Sequence, residues 1–159
     1  MIWCSSIEER GRILIETPVI DLVRGFCQNQ ISRPESGGIL LGYRRGSHLH
    51  IVAATIPQPV DKRLRYHFFR CDPNHQKAAY RQWAKSGNTM DYVGEWHTHP
   101  EAKPTPSSLD ISEWRKICGA RKERMVFIIV GWAGVFWVGE GQGKSIVQST
   151  ETNELNGSG

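Results

Sequence analysis

Apolar positions along this chain change period several times, and each change predicts an element. Ile13, Leu14 and Ile15 in "GRILIETP" predict a short strand, after which Val19, Ile20, Leu22, Val23 and Phe26 fall on one stripe of an amphipathic helix. "GGILLGYRRGSHLHIVAATIPQP" holds two strand-like runs on either side of "RRGSH", where Gly46 and Ser47 supply turn chemistry, so a hairpin is expected. Beyond a basic stretch, "YHFFRCD" is expected to be extended and "PNHQKAAYRQWAKSGN" helical, with Pro73 at its start and Gly87 at its end. "TMDYVGEWHTHP" predicts a strand closed by Pro100, and "SSLDISEWRKICGA" a short helix with Gly119 near its C-terminus. "RMVFIIVGWAGVFWVGEGQGKSIVQST" predicts two or three strands joined by glycine turns.

Hairpins predominate, and strands and helices do not alternate with the spacing of a doubly wound nucleotide fold. The predicted fold class is therefore α/β of the α+β kind: one domain over residues 1–150, a mostly antiparallel mixed sheet flanked by helices. Residues 151–159, "ETNELNGSG", are polar without an apolar period and are expected to form a disordered tail. A length of 159 residues suits a single core rather than two.

Composition narrows the classes. At 39% hydrophobic and 23% charged the chain fits an ordinary globular protein, and the apolar run 125–139 is interrupted by Gly131 and Gly134 before it could span a bilayer, so it predicts a buried hairpin and no membrane association. "MIWCSSIEERGR" shows no basic region followed by an apolar one, which points to a cytoplasmic location. Cys4, Cys27, Cys71 and Cys118 have no C-x-x-C spacing and are expected to be free thiols. A net charge of +4 is mild, and its one cluster, residues 62–70, is accounted for by a solvated loop, so no nucleic-acid partner is expected. Trp96 and Trp132 are expected in the core.

The candidate chemistry lies in "VGEWHTHPEAKPTPSSLD", residues 93–110. On an extended segment His97 and His99 project from one face, with Trp96 and Thr98 on the other. Imidazoles hold zinc at about 2.0–2.1 Å, and a catalytic zinc takes three protein ligands with one position open. Asp110, in the first turn of the helix that follows the proline-rich connection, is the candidate third ligand. Such a centre lowers the pKa of water to roughly 7 from about 15.7 and needs a proton acceptor beside it. Glu35, just before Gly37 and Gly38, is the candidate. Each part also has a plain reading: His-x-His as surface polarity, Ser107 and Asp110 as a capping box, Glu35 as a charge before a strand, and the glycine pair as a turn.

Together, "ESGGILLG" and "HTHPEAKPTPSSLD" resemble the signature of the JAB/MPN (JAMM) metalloprotease family: a glutamate before a glycine-rich strand, then His-x-His-Pro, six residues, Ser, two residues, Asp. Glu35, His97, His99, Pro100, Ser107 and Asp110 match it without a departure in spacing. The resemblance implies one Zn²⁺ per chain held by His97, His99 and Asp110, Glu35 as general base and acid, and Ser107 as an oxyanion stabiliser. It also implies hydrolysis of a peptide or isopeptide bond after the C-terminus of a ubiquitin-like or similarly conjugated protein. More narrowly, the chain looks like the small JAB proteins of CBASS antiphage operons, which remove a cyclic-nucleotide synthase from the target to which it was joined. The implied partner is a protein substrate whose extended C-terminal tail adds to a sheet edge.

Two other readings keep the fold. One is processing of a ubiquitin-like or sulfur-carrier precursor; the other is a non-catalytic docking module, which would need neither the full ligand set nor Glu35. "VGEGQGKS" lacks the spacing of a phosphate-binding loop and is expected to be a glycine turn, and the Pro-Cys-x-x-Cys of zinc deaminases is missing.

Overall fold

Where one face of a strand meets a core, apolar residues alternate; where both faces do, the run is continuous. "MVFIIV" is the continuous case, buried at every position, and it forms the strand on which two hydrophobic clusters meet. The structure is a computed structural model that describes residues 1–5 and 11–152. Its strands are β1 (Ile2–Ser5), β2 (Arg12–Ile15), β3 (Gly37–Arg45), β4 (His48–Ala54), β5 (Lys62–Leu64), β6 (His67–Phe69), β7 (Asp91–Thr98), β8 (Met125–Val130), β9 (Phe136–Gln142) and β10 (Ser145–Glu151). Its helices are α1 (Thr17–Arg24), α2 (Pro73–Lys85) and α3 (Ser108–Arg121).

Eight of the strands close into a barrel in the order β1-β10-β9-β8-β7-β3-β4-β2, and β5 pairs with β6 in a separate two-stranded sheet. Neighbours run antiparallel except β2 with β4 and β7 with β8. The expected mixed, mostly antiparallel sheet is present. Its closure, and strand β1, were not foreseen: "IWCS" is too short to show a period, and closure depends on pairings distant in sequence. Glu151 still pairs with Trp3, so the barrel takes in the first residue of the polar C-terminal stretch, and residues 153–159 lie outside the described part.

Val126, Ile128 and Val130 of β8 pack with Trp96, Leu40, Ile51 and the α1 residues Val19, Ile20 and Val23. From the other face, Met125, Phe127 and Ile129 pack with Trp114 and Cys118 of α3 and with Trp137 of β9. The Trp114 ring stacks on Phe127 at 4.6 Å and on Trp137 at 5.4 Å between centroids. That stack fixes α3 against the barrel wall.

Several local expectations change. The basic stretch is no loop; residues 62–69 form the β5–β6 hairpin. Gly37 and Gly38 open β3, the glycine-rich strand expected after Glu35, and the plain alternative of a turn falls away; a Cβ on Gly38 would come within 2.2 Å of the Thr55 carbonyl oxygen, closer than any side chain tolerates. Trp96 is core, whereas Trp132 sits in the turn between β8 and β9 and is 46% exposed, because that turn protrudes beyond the strands it joins. Helix α3 has Gly119 near its C-terminus, as expected, and is capped by Lys122 in the left-handed conformation, φ 57°. The turn in "GEGQGKS" is made by Gly143, φ 60°.

Candidate metal centre

His97 faces Gly37 across the β3–β7 ladder, near the end of β7, and the His99 N–H donates to the Val130 carbonyl at 3.0 Å. Between them Thr98 points the other way: its hydroxyl donates to Gln28 Oε1 at 2.9 Å and accepts from the Ser36 N–H at 3.0 Å. The period of two therefore puts both imidazoles on one face, as expected.

Asp110 arrives from α3. Ser107 is the N-cap: its hydroxyl accepts from the Asp110 N–H at 3.1 Å, while Asp110 Oδ2 accepts from the Ser107 N–H at 2.8 Å. This reciprocal capping box holds the carboxylate at the helix start. Asp110, Trp114 and Cys118, four residues apart, share the buried face of α3, so the tryptophan stack aims the aspartate inward.

The three side chains converge. His97 Nε2 lies 3.0 Å from His99 Nε2, Asp110 Oδ1 lies 3.3 Å from His97 Nε2, and Asp110 Oδ2 lies 3.1 Å from His99 Nε2. All three residues are buried. Ligands at about 2.0–2.1 Å from a tetrahedral ion stand roughly 3.3 Å apart, so this N,N,O set fits a divalent cation. Among the described residues it is the one such group of three or more candidate ligands.

Glu35 is 3% exposed, with Oε1 4.0 Å from His99 Nε2. Burial, and then the negative charges of Asp110, Glu101 and Glu113, push its pKa up to about 9. Burial acts on Asp110 in the same direction, but hydrogen bonds from His97 and His99, the charge of His97 and the Ser107 amide hold its carboxyl well below the usual range. The two carboxyl groups are thus driven apart in acidity.

Sequence reasoning missed the surroundings. His99 Nδ1 lies 3.6 Å from Glu101 Oε1, an acidic residue two places after the histidine that its position alone could have suggested. Beside the centre runs a groove of about 280 Å³, lined by His67, Phe68 and Phe69 of β6 and by Glu113 and Trp114 of α3, with Glu35, His97 and Asp110 at its base. His67 Nε2 and Glu113 Oε1 face each other there at 3.5 Å. No sequence signal joins residues so far apart in the chain.

The profile of the family described as prokaryotic homologs of the JAB domain matches residues 19–140. The chain belongs to this family. A JAB relative from Pseudomonas aeruginosa, named CD-NTase/cGAS isopeptidase, is 40% identical over 131 residues, which cover 81% of this chain and 82% of the relative. One of the same name from Vibrio cholerae is 36% identical over 128 residues, 80% of this chain and 81% of the relative. Among solved structures, a protein from Desulfitobacterium hafniense superposes with a TM-score of 0.63 at 19% identity, over 86% of this chain and 88% of that one, which speaks for the fold alone. JAB membership makes the chain a hydrolase of the isopeptidase and metalloprotease kind. No helix among the described residues is long and apolar enough to cross a membrane, and Cys4, Cys27, Cys71 and Cys118 are free thiols.

Proposed function

We propose that this chain is a zinc isopeptidase that cuts the bond between the C-terminus of a CD-NTase and the protein to which it has been joined, in a CBASS antiphage operon. The observation that carries the proposal is the convergence of His97, His99 and Asp110 beside a buried glutamate at the base of a groove. The names of the curated relatives support the substrate. Four free cysteines agree with work in the reducing cytoplasm.

In this reading His97, His99 and Asp110 hold one Zn²⁺. When bound, zinc supplies Lewis acidity and lowers the pKa of water. Glu35 takes a proton as water adds to the scissile carbonyl, then gives it to the leaving lysine amine as the C–N bond breaks. A cation beside Glu35 favours its ionised form, which the metal-free site disfavours. Ser107 holds Asp110 through the capping box, and its O–H remains available to donate to the developing oxyanion.

The tail of the substrate enters the groove as an added strand. Glu35 covers the β5 side of the β5–β6 pair, but among the described residues no strand pairs with the outer edge of β6, which is a wall of the groove. The close approach of His67 to Glu113 favours small residues next to the cut.

The test is intact-mass analysis of an isopeptide-linked CD-NTase conjugate incubated with wild type, chelator-treated wild type and Glu35→Gln. Cleavage at the junction by untreated wild type alone is expected. An intact conjugate in the presence of zinc-loaded wild type would move the assignment to precursor processing or to docking.

A further inference from the structure

Glu35 precedes β3, so its peptide has no place in the barrel ladder. The hairpin takes its backbone groups instead. Its N–H donates to the Leu64 carbonyl of β5 at 2.8 Å, and its carbonyl accepts from Arg63 Nε at 3.0 Å. Through Nη2 the same guanidinium donates to Ser36 Oγ at 2.6 Å. Next along the chain, a Cβ on Gly37 would meet the Phe68 ring of β6 at 2.5 Å, so this glycine lets the hairpin seat directly on the start of β3.

A second tie reaches the histidine strand. Gln28 Nε2 donates to the Arg65 carbonyl at 2.9 Å, and Gln28 Oε1 accepts from the hydroxyl of Thr98, the residue between His97 and His99. Thr98 also exchanges two hydrogen bonds with Ser36: its N–H donates to the Ser36 carbonyl at 2.9 Å and its hydroxyl accepts from the Ser36 N–H at 3.0 Å. The hairpin, the Glu35-Ser36 peptide and the histidine strand thus form one hydrogen-bonded unit.

We propose that Arg63 is a positioning residue for Glu35: its guanidinium grips the Glu35 carbonyl and the Ser36 hydroxyl together and so fixes the peptide from which the carboxylate projects. The inference rests on the reading of Glu35 as proton carrier, and gives the basic hairpin a role that its net charge does not suggest. Arginine suits it because its planar fork holds Nε and Nη2 in fixed geometry towards two acceptors, whereas the three donors of a lysine ammonium sit on one point charge with no such fork. A reacting group displaced by about 1 Å can cost ~10²-fold in rate. Since β6 is also a groove wall, pressure from a bound tail acts on the same rigid unit that carries the proton acceptor.

A residue that merely anchored the groove wall would affect binding; one that positions Glu35 affects turnover. The experiment compares Arg63→Ala, Arg63→Lys and Ser36→Ala with wild type in two ways. Amide hydrogen exchange on the metal-loaded proteins without substrate reads the tie itself, and steady-state kinetics on the CD-NTase conjugate reads its use. Arg63→Ala is expected to speed exchange at Glu35 and Ser36 while Leu40 and Ile128 stay protected, and to lower kcat by ~10- to 10²-fold with KM changed less than about threefold and metal content intact. Arg63→Lys should recover part of kcat, and Ser36→Ala should lose less than Arg63→Ala. Unchanged exchange at Glu35, or a rise in KM with kcat preserved, overturns the proposal. Should wild type leave the conjugate whole, the substrate reading falls, and the exchange measurement alone decides whether Arg63 holds the Glu35 peptide.

Discussion

Glu35 and Asp110 are two buried carboxyls whose surroundings act in opposite senses, and pH separates them. The folded pKa of Glu35, about 9, stands above its ordinary 4.5, so the contribution of its neutral form to stability is complete below 4.5 and is lost as pH rises towards 9. Asp110 is lowered, so its contribution is present above its ordinary 3.8 and disappears on acidification. Denaturation of the metal-free protein at pH about 6 and about 8 should show wild type losing more stability over that interval than Glu35→Gln. Equal losses would mean that Glu35 is already ionised. Glu35→Gln should retain zinc, since it removes no ligand, whereas Asp110→Ala should lose both zinc and turnover, as metal analysis beside the conjugate assay would show. Ser107→Ala separates two roles. Loss of the cap alone costs about 1 kcal/mol of stability, and an oxyanion role adds a fall of ~10²-fold in kcat.

Among the elements, α3 matters most to the centre, because its first turn supplies Asp110 and its second supplies the Trp114 ring that stacks on Phe127 and Trp137. Trp114→Ala should cost about 3–5 kcal/mol in stability and weaken zinc binding as well, since the helix start loses its seat. Calorimetric zinc titration would expose the second effect, and affinity equal to wild type would show that the capping box alone places Asp110. Much at this scale was legible in the sequence. His97 and His99 share a face by the period of two, Ser107 and Asp110 spell a capping box, and the run of β8 announced burial. What stayed hidden depends on distant partners. Nothing in "DKRLRYHFFR" reveals that Arg63 turns its guanidinium to Glu35 or that Phe68 needs Gly37 bare. Trp132 was misjudged because aromatic character does not say whether a residue lies in a strand or in the turn beyond it.

At the scale of the whole molecule, barrel closure ties β1 to β10 and leaves one two-stranded sheet outside the circuit among the described residues. We expect residues 1–150 to unfold as one cooperative unit: a single calorimetric transition, raised by zinc through mass action, about 2.7 kcal/mol at a hundred times Kd, and returned to its metal-free position by a chelator. Two resolved transitions would break the single-domain expectation. The Trp114–Trp137 pair gives this unit a voice of its own. Two indole rings 5.4 Å apart and 18° from parallel lie close enough for their excited states to couple, and they belong to α3 and β9, elements that meet only when the fold is complete. Near-ultraviolet circular dichroism should therefore carry a signal from that pair which vanishes when the helix leaves the wall. With His97 5.9 Å from the same Trp114 ring, the fluorescence of that tryptophan becomes a label-free gauge of whether the centre is filled.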